Sequence, residues 1–365
     1  MKRRYSLLGF CVCSLLIFAQ KTEVIQKKLT VSGLLVGDYG ISLSDNVDIN
    51  GTHNNKTAVS TNGFYLRYAR VQGKFDILKD LSVQVLVNLA DFKGDTKTKV
   101  LEIATLKYHL NNYLNFQLGQ FRPYFGLEDM YAADILKSYT WSNQYSLFGK
   151  NNWESFQQGA ALFGSLKDLK IPLQYYYSVY NGNGKNPTAD NDNSKFHSFR
   201  LDYKLLKGVS LGANAAFTTL NGEAANAYGV DLTIEEKMND AWLAGIETEY
   251  KKGTNFDAYN SSTLVDKKLN NFKLQGIYTI PYIRWTFNSD KKFGFELSCR
   301  YEYLEDINQN GNPVKVTTPM LSFCLGDAYS AKISLVGQFT DYKTNIDNST
   351  KYDNSQFMLQ YQVRL

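Results

Sequence analysis

The links between strands constrain this chain more than the strands themselves. From residue 29 onward, segments of alternating apolar and polar residues follow one another. Sixteen are readable: 29–39, 63–75, 81–89, 100–110, 114–118, 157–166, 171–180, 195–206, 209–217, 226–235, 241–250, 272–282, 293–303, 317–325, 331–339 and 355–365. Period two places alternate side chains on opposite faces of a sheet. The links after even-numbered segments are short: 76–80, 111–113, 167–170, 206–208, 236–240, 288–292 and 326–330. Those after odd-numbered segments are mostly longer and polar: 40–62, 92–99, 123–156, 181–194, 218–225, 252–271, 305–316 and 341–354. A soluble sandwich has no reason to alternate in this way, because both of its ends face water. A barrel in an outer membrane has one, with short turns on the periplasmic side, long loops outside and an even strand count. The expected fold class is therefore all-β, a 16-stranded antiparallel transmembrane β-barrel.

Face chemistry agrees. In the last segment Phe357, Leu359, Tyr361, Val363 and Leu365 share one face, and Gln356, Gln360, Gln362 and Arg364 share the other. Sixteen strands enclose a lumen wider than side chains fill in small barrels. The apolar faces are thus expected to meet lipid and the polar faces to line water. Aromatics at Phe64, Tyr65, Tyr175 to Tyr177, Tyr282, Trp285, Tyr301 and Tyr303 suit interfacial girdles.

Composition closes other routes. No internal stretch approaches the roughly 18–20 apolar residues of a membrane-spanning helix. Aromatics make up 14% and charged residues 21%, which argues against disorder. The first residues read as a separate segment. Lys2, Arg3 and Arg4 precede an apolar run, Tyr5 to Ala19, and polar sequence follows. This is the layout of a secretory signal, so 1–20 is expected to be a signal peptide and 21–365 the barrel. The formal charge of +5, less those three cations, becomes +2. A nucleic-acid partner, which needs a basic footprint, is not expected.

Four stretches carry a family resemblance. Phe64-Tyr-Leu-Arg-Tyr-Ala-Arg-Val-Gln-Gly73 resembles the second-strand signature of the phosphate-selective porin O and P family. Leu118-Gly-Gln-Phe-Arg-Pro-Tyr-Phe-Gly-Leu-Glu128 resembles its strand-five motif. Ser178-Val-Tyr-Asn-Gly-Asn-Gly184 and Cys299-Arg-Tyr-Glu-Tyr-Leu304 resemble its Asn-Gly loop entry and its Arg-Tyr-Asp strand. The resemblance implies a trimeric, sixteen-stranded outer-membrane porin with an inward-folded third loop. A charge of +2 is modest for a strongly anion-selective lumen, so the resemblance implies a porin and leaves phosphate open.

Candidate pore-lining residues follow from parity. Arg70 and Lys74 oppose Ala69, Val71 and Phe75. Arg200 shares a face with Ser198, Asp202 and Lys204. Arg300 opposes Leu297 and Tyr301, and Lys332 opposes Ile333 and Leu335. Such charges solvate and cross-link a lumen, and a subset can ring a constriction that sets ion preference. Arg122 is the foremost single candidate, because it stands where the 123–156 link begins. That link holds Tyr124, Phe125, Tyr131, Trp141, Tyr145, Phe148 and Trp153. So many large aromatics need burial, and folding into the lumen would supply it.

No catalytic constellation is readable. His53, His109 and His197 have no nucleophile or carboxylate at a recognised spacing. No metal-ligand spacing or cofactor motif is present. Cys299 shares the face of Phe295 and Leu297, whereas Cys324 opposes Leu321 and Phe323. The two are expected on opposite faces of neighbouring strands, near one another but unlinked. The expected function is passive diffusion of small hydrophilic solutes or anions across the outer membrane of a Gram-negative bacterium. The barrel would be bedded in membrane lipid as a homotrimer. A non-conducting adhesin or scaffold, binding a partner through 252–271 and 305–316, is the alternative.

Overall fold

A computed structural model of the chain describes residues 28–92, 99–187, 189–190, 193–288, 293–307, 311–326 and 329–365. The expected signal segment, 1–20, lies outside them. The strands are β1 (Lys28–Ser42), β2 (Asn62–Leu78), β3 (Leu81–Asn88), β4 (Leu101–His109), β5 (Asn115–Phe121), β6 (Gln157–Ser165), β7 (Leu173–Tyr180) and β8 (Phe196–Leu206). They continue as β9 (Val209–Leu220), β10 (Glu223–Lys237), β11 (Trp242–Thr254), β12 (Lys273–Asn288), β13 (Phe293–Ile307), β14 (Val314–Leu325), β15 (Ala331–Tyr342) and β16 (Asn354–Arg364). Each pairs antiparallel with its chain neighbours, and β1 pairs β16, from Leu34↔Arg364 to Ser42↔Gln356, closing the barrel. Closure leaves no ladder edge unpaired, as hydrocarbon demands. Two short helices, α1 (Asn143–Lys150) and α2 (Phe256–Ser261), lie in the long links.

The side chains follow period two. Phe357, Leu359 and Tyr361 are exposed on the outer surface of β16, while Met358, Gln360 and Gln362 are buried inside. Three members of the expected girdle belong to the interior instead. Tyr65 bonds Met358, Tyr176 packs on Tyr124 of the long loop, and Tyr282 is buried beside Glu235. Phe64, Trp285 and Tyr301 remain outside.

One long link is absent. The expected 218–225 connection is a two-residue hairpin turn at Asn221 and Gly222, both with positive φ (51° and 83°). Asn-Gly is the sequence favoured for such turns, because both central residues must tolerate the left-handed region. The 305–316 link also shrinks, to the gap between Ile307 and Val314, and there the contrast with the short links is nearly lost; the other long links remain longer than their neighbours.

Cys299 and Cys324 are both free. Cys299 lies opposite Pro319, and Cys324 lies opposite Gly294. They are therefore five ladder positions apart, roughly 17 Å at 3.3–3.4 Å per residue. They are also on opposite faces. The opposed faces were legible in the sequence; the separation along the strands was not. Alkylation in non-reducing denaturant is expected to label both cysteines, as peptide mapping would report. Protection of the pair would contradict this register.

Candidate pore and its loop

The 123–156 link leaves β5 and turns back on the inner wall. Pro123 places its carbonyl where Ser178 of β7 and Ser198 of β8 both donate to it (2.8 and 2.7 Å). Gly126 follows at φ 91°. A Cβ there would stand 2.5 Å from Glu154 Oε1 and 2.8 Å from Glu249 Oε1. Only glycine allows the loop to pass so close to this charged wall. The chain then runs over short 3-10 turns, Glu128–Met130 and Ala133–Ile135, and enters α1, whose N-cap is Ser142.

Its hydrogen bonds reach most of the inner wall. Leu127 N–H donates to Glu249 of β11 (2.6 Å), Asn143 N–H to Glu302 of β13 (2.6 Å) and Gln144 to the Gly276 carbonyl of β12 (2.7 Å). Tyr139 bonds Gln338 of β15, and its carbonyl accepts from Gln360 of β16 (3.0 Å). Arg300 donates to the Thr140 carbonyl (2.7 Å). A segment bonded to β7, β8, β11–β13, β15 and β16 lies inside the barrel.

Apolar burial holds the loop as well. Phe125, Phe148 and Trp153 are fully buried with Tyr180, Phe196, Phe256, Leu269 and Leu274. This is a hydrophobic core inside the lumen, built from the loop, α2 and the inner faces of β7–β12. Each of the three loop aromatics contributes roughly 1.5–3 kcal/mol by burial. The expectation of a water-lined interior is therefore corrected on this side, where the lumen is filled. Ala133 and Trp141 pack on Leu34 and Val36 of β1, and Tyr139 packs on Met320, Val336 and Met358.

Most charge in the interior is neutralised locally. Arg70 pairs with Glu102 (2.7 Å), Arg200 with Asp202 and Asp231 (2.6 and 2.8 Å), and Arg300 with Glu302 (2.9 Å). All three arginines are buried. Lys74, half exposed, pairs with Asp76 at 3.3 Å. Lys332 is buried near the Tyr329 ring, 5.7 Å from its centroid. Arg122 differs. It donates to the Glu128 carbonyl (3.2 Å) and lies over Trp141 and Phe156, 5.1 and 5.9 Å from the ring centroids. Among the described residues it has no carboxylate within ion-pair distance, while the buried Asp129 of the loop lies within its electrostatic reach.

Several charges escape a parity reading. Arg67 is the extra residue of a bulge in β2, where Leu66 pairs Gly37 and Tyr68 pairs Val36. Simple alternation places it with Ala69 and Val71 in lipid, yet it bonds Asp38 inside the barrel (2.8 Å). A second bulge, in β4, turns Glu102 toward Arg70. Lys107 was legible, because it alternates with Leu106 and Tyr108. It stands within electrostatic reach of Lys74 and Arg122 and has no carboxylate within ion-pair distance among the described residues. Lys251 lies past the expected end of its strand. It is wholly buried between Glu154 and Glu249. Nearby, burial pushes Glu128 up to about 7, against the pull of Arg300 and Lys251.

Beside the loop an open space remains. A cavity of about 280 Å³ is enclosed by the loop and the inner faces of β16, β1, β2, β3 and β4, and Arg70, Gln72, Gln84, Arg122, Trp141 and Arg364 line it. A second, of about 260 Å³, lies lower on the same wall, between Lys74, Lys107 and the turns at Lys79 and His109.

Comparison with known proteins agrees with this architecture. Residues 42–136 match the family model described as phosphate-selective porin O and P. The match runs from the end of β1 into the long loop and includes two of the four motifs. No curated protein is significantly similar in sequence. Solved structures are similar in fold. An anion-selective porin from Comamonas acidovorans aligns over 93% of this chain and 100% of its own, at TM-score 0.58 and 10% identity. The outer membrane channel DcaP of Acinetobacter baumannii aligns over 94% and 99%, at 0.57 and 11%. The trimer form of OmpT, an outer membrane protein of Vibrio cholerae, aligns over 93% and 100%, at 0.57 and 11%. At these identities the likeness is one of fold.

Proposed function

We infer that this protein is a passive-diffusion porin of the Gram-negative outer membrane, conducting small hydrophilic solutes with a bias toward anions. The observation that carries this reading is the closed sixteen-strand barrel, apolar outside and polar inside, with a space left between its loop and one wall. A match to a porin family over 42–136 supports it. Transport of this kind needs no turnover and no energy source, and we assign the chain no catalytic step.

The anion bias rests on unpaired charge. Arg122 and Lys107 bring positive charge to the open wall of β2–β5; Lys74 below them is matched by Asp76. Arg70, Arg200 and Arg300 of the lumen are matched by carboxylates. Screening is weaker where the path is narrow than at its mouth, so a cation there acts strongly on passing ions. Of the other candidates, Arg70 lines the same space with its charge matched by Glu102. Arg200 and Arg300 brace the wall and the loop.

A homotrimer is the proposed assembly, as in the trimer form of OmpT. Five consecutive strands, β3 to β7, have only 8, 9, 7, 9 and 8 residues. A spanning strand takes roughly 9–11. A low wall suits a neighbouring copy better than lipid. The adhesin alternative has less support, because the loop after β11 buries Phe256 and Leu269 in the interior core rather than presenting them outward.

Planar-bilayer recording tests the function directly. Stepwise conductance is expected, with a reversal potential under a salt gradient that favours anions. Arg122→Glu is expected to move that potential toward cations, and Arg122→Gln to move it less far in the same direction. A silent membrane would overturn the porin reading. A potential indifferent to both substitutions would remove Arg122 from the ion path.

A further inference from the structure

The space beside the loop is only partly polar. Its anion-attracting group, Arg122, is framed by aromatic surface, with the guanidinium over Trp141 and Phe156. Leu34, Leu86 and Ile103 line the facing wall. A path shaped only for small, strongly hydrated ions gains nothing from this surface. Inorganic anions prefer water and backbone donors to apolar walls.

Arg122 also keeps donors to spare. Its Nη1 is bonded to the Glu128 carbonyl; its Nε and Nη2 have no protein acceptor among the described residues. Arg70 and Arg364 line the same cavity, each held by a carboxylate, Glu102 and Asp134. They offer polar rims at little net charge. Ligand sites in proteins pair mostly apolar linings with a few placed polar groups, in clefts of roughly 300–1,000 Å³. At about 280 Å³, this cavity falls just below that range.

We propose that the passage between the loop and the β16–β4 wall selects organic anions that carry a compact apolar or aromatic body, such as aromatic carboxylates, over inorganic anions. The carboxylate meets the free edge of the Arg122 guanidinium. The apolar body lies against Phe156, the aliphatic wall and the part of Trp141 that Tyr145, stacked on it at 4.8 Å, and Arg122 leave uncovered, where it displaces water that those surfaces hold poorly. The proposal rests on the porin reading and gives it a substrate class.

Two measurements on the full barrel separate the proposal from that reading. The first is the bi-ionic reversal potential for benzoate, acetate, phosphate and chloride in planar bilayers. Benzoate diffuses more slowly than acetate in water, so a neutral pore ranks it lower. Here benzoate is expected to rank above acetate and phosphate. Trp141→Ala is expected to abolish that inversion, and Trp141→Phe, which keeps an aromatic face, to preserve it. Phe156→Leu is expected to weaken it. The second is quenching of tryptophan fluorescence by benzoate in detergent, expected to be saturable in the wild type and lost in Trp141→Phe. Currents that rank benzoate below acetate would overturn the substrate class while leaving the porin standing. Saturable quenching in a barrel that passes no current would overturn the porin reading while leaving an organic-anion site. Neither inversion nor quenching would dispose of the site.

Discussion

Deleting Tyr131 to Trp141 is expected to raise single-channel conductance several-fold. The excised stretch holds Ala133, Tyr139 and Trp141, which pack on the β1 and β14–β16 side of the lumen, and Asp134, which binds Arg364. It therefore forms the part of the loop that faces the open passage. The rest of the loop has its own anchors. Phe125, Phe148 and Trp153 stay in the interior core, and Pro123 stays bonded to β7 and β8. The ends left by the cut are close in space, because Ser142 N–H donates to the Glu128 carboxylate at 2.9 Å. The barrel ladder does not depend on this stretch, so heat-modifiable migration on a gel should persist. An obstruction inside a pore carries most of its resistance, and its removal should widen the path. Conductance equal to that of the intact chain would mean that the current passes elsewhere. The same deletion removes Trp141 and should blunt any preference for anions with apolar bodies.

The second large effect concerns how the loop is held. Lys251→Met is expected to destabilise loop seating by roughly 3–5 kcal/mol, the usual cost of removing one partner from a buried ion pair. Lys251 is fully buried, with Glu154 of the loop on one side and Glu249 of β11, 3.2 Å away, on the other. Glu249 also accepts from Leu127 N–H. Without the lysine, two buried carboxylates face one another with no cation between them. They must either repel or take up a proton, and hydration relieves both costs, which requires the loop to lift. The expected result is noisy, enlarged conductance and new protease cleavage within 123–156, in a barrel that still resists denaturation. Adding Glu154→Gln should restore part of the loss, because it removes the repulsion and leaves a single buried carboxylate. A Lys251→Met channel with wild-type current and protease resistance would show that apolar packing alone holds the loop.

These two expectations differ in how far the sequence could carry them. The position and aromatic density of 123–156 identify it as a loop in need of burial. Nothing local indicates that Lys251, near the end of β11, completes an ion cluster with a residue 97 positions earlier. Arg67 is a case of a different kind. Its neighbours alternate cleanly, so period two assigns it to lipid; one extra residue in the β2 ladder returns it to the lumen. A bulge is settled by how two strands match in length and twist, and that information is not in either strand alone.

The sixteen strands, the inward residues on most of them and the end of the barrel that carries the long loops are legible in the chain before it folds. They are legible there because strand alternation and turn preference are local properties, written over a few consecutive residues. What fills the lumen is set by the closed barrel. Arg200 and Arg300 meet Asp202 and Glu302 two residues along their own strands, but the pairing of Arg200 with Asp231 and of Arg70 with Glu102 depends on strands brought together across the sheet. So does the division of the interior into an apolar core on one side and a passage beside Arg122 on the other. Both arise from side chains far apart in sequence meeting across a closed sheet, where burial favours the pairing of every charge that packing can reach.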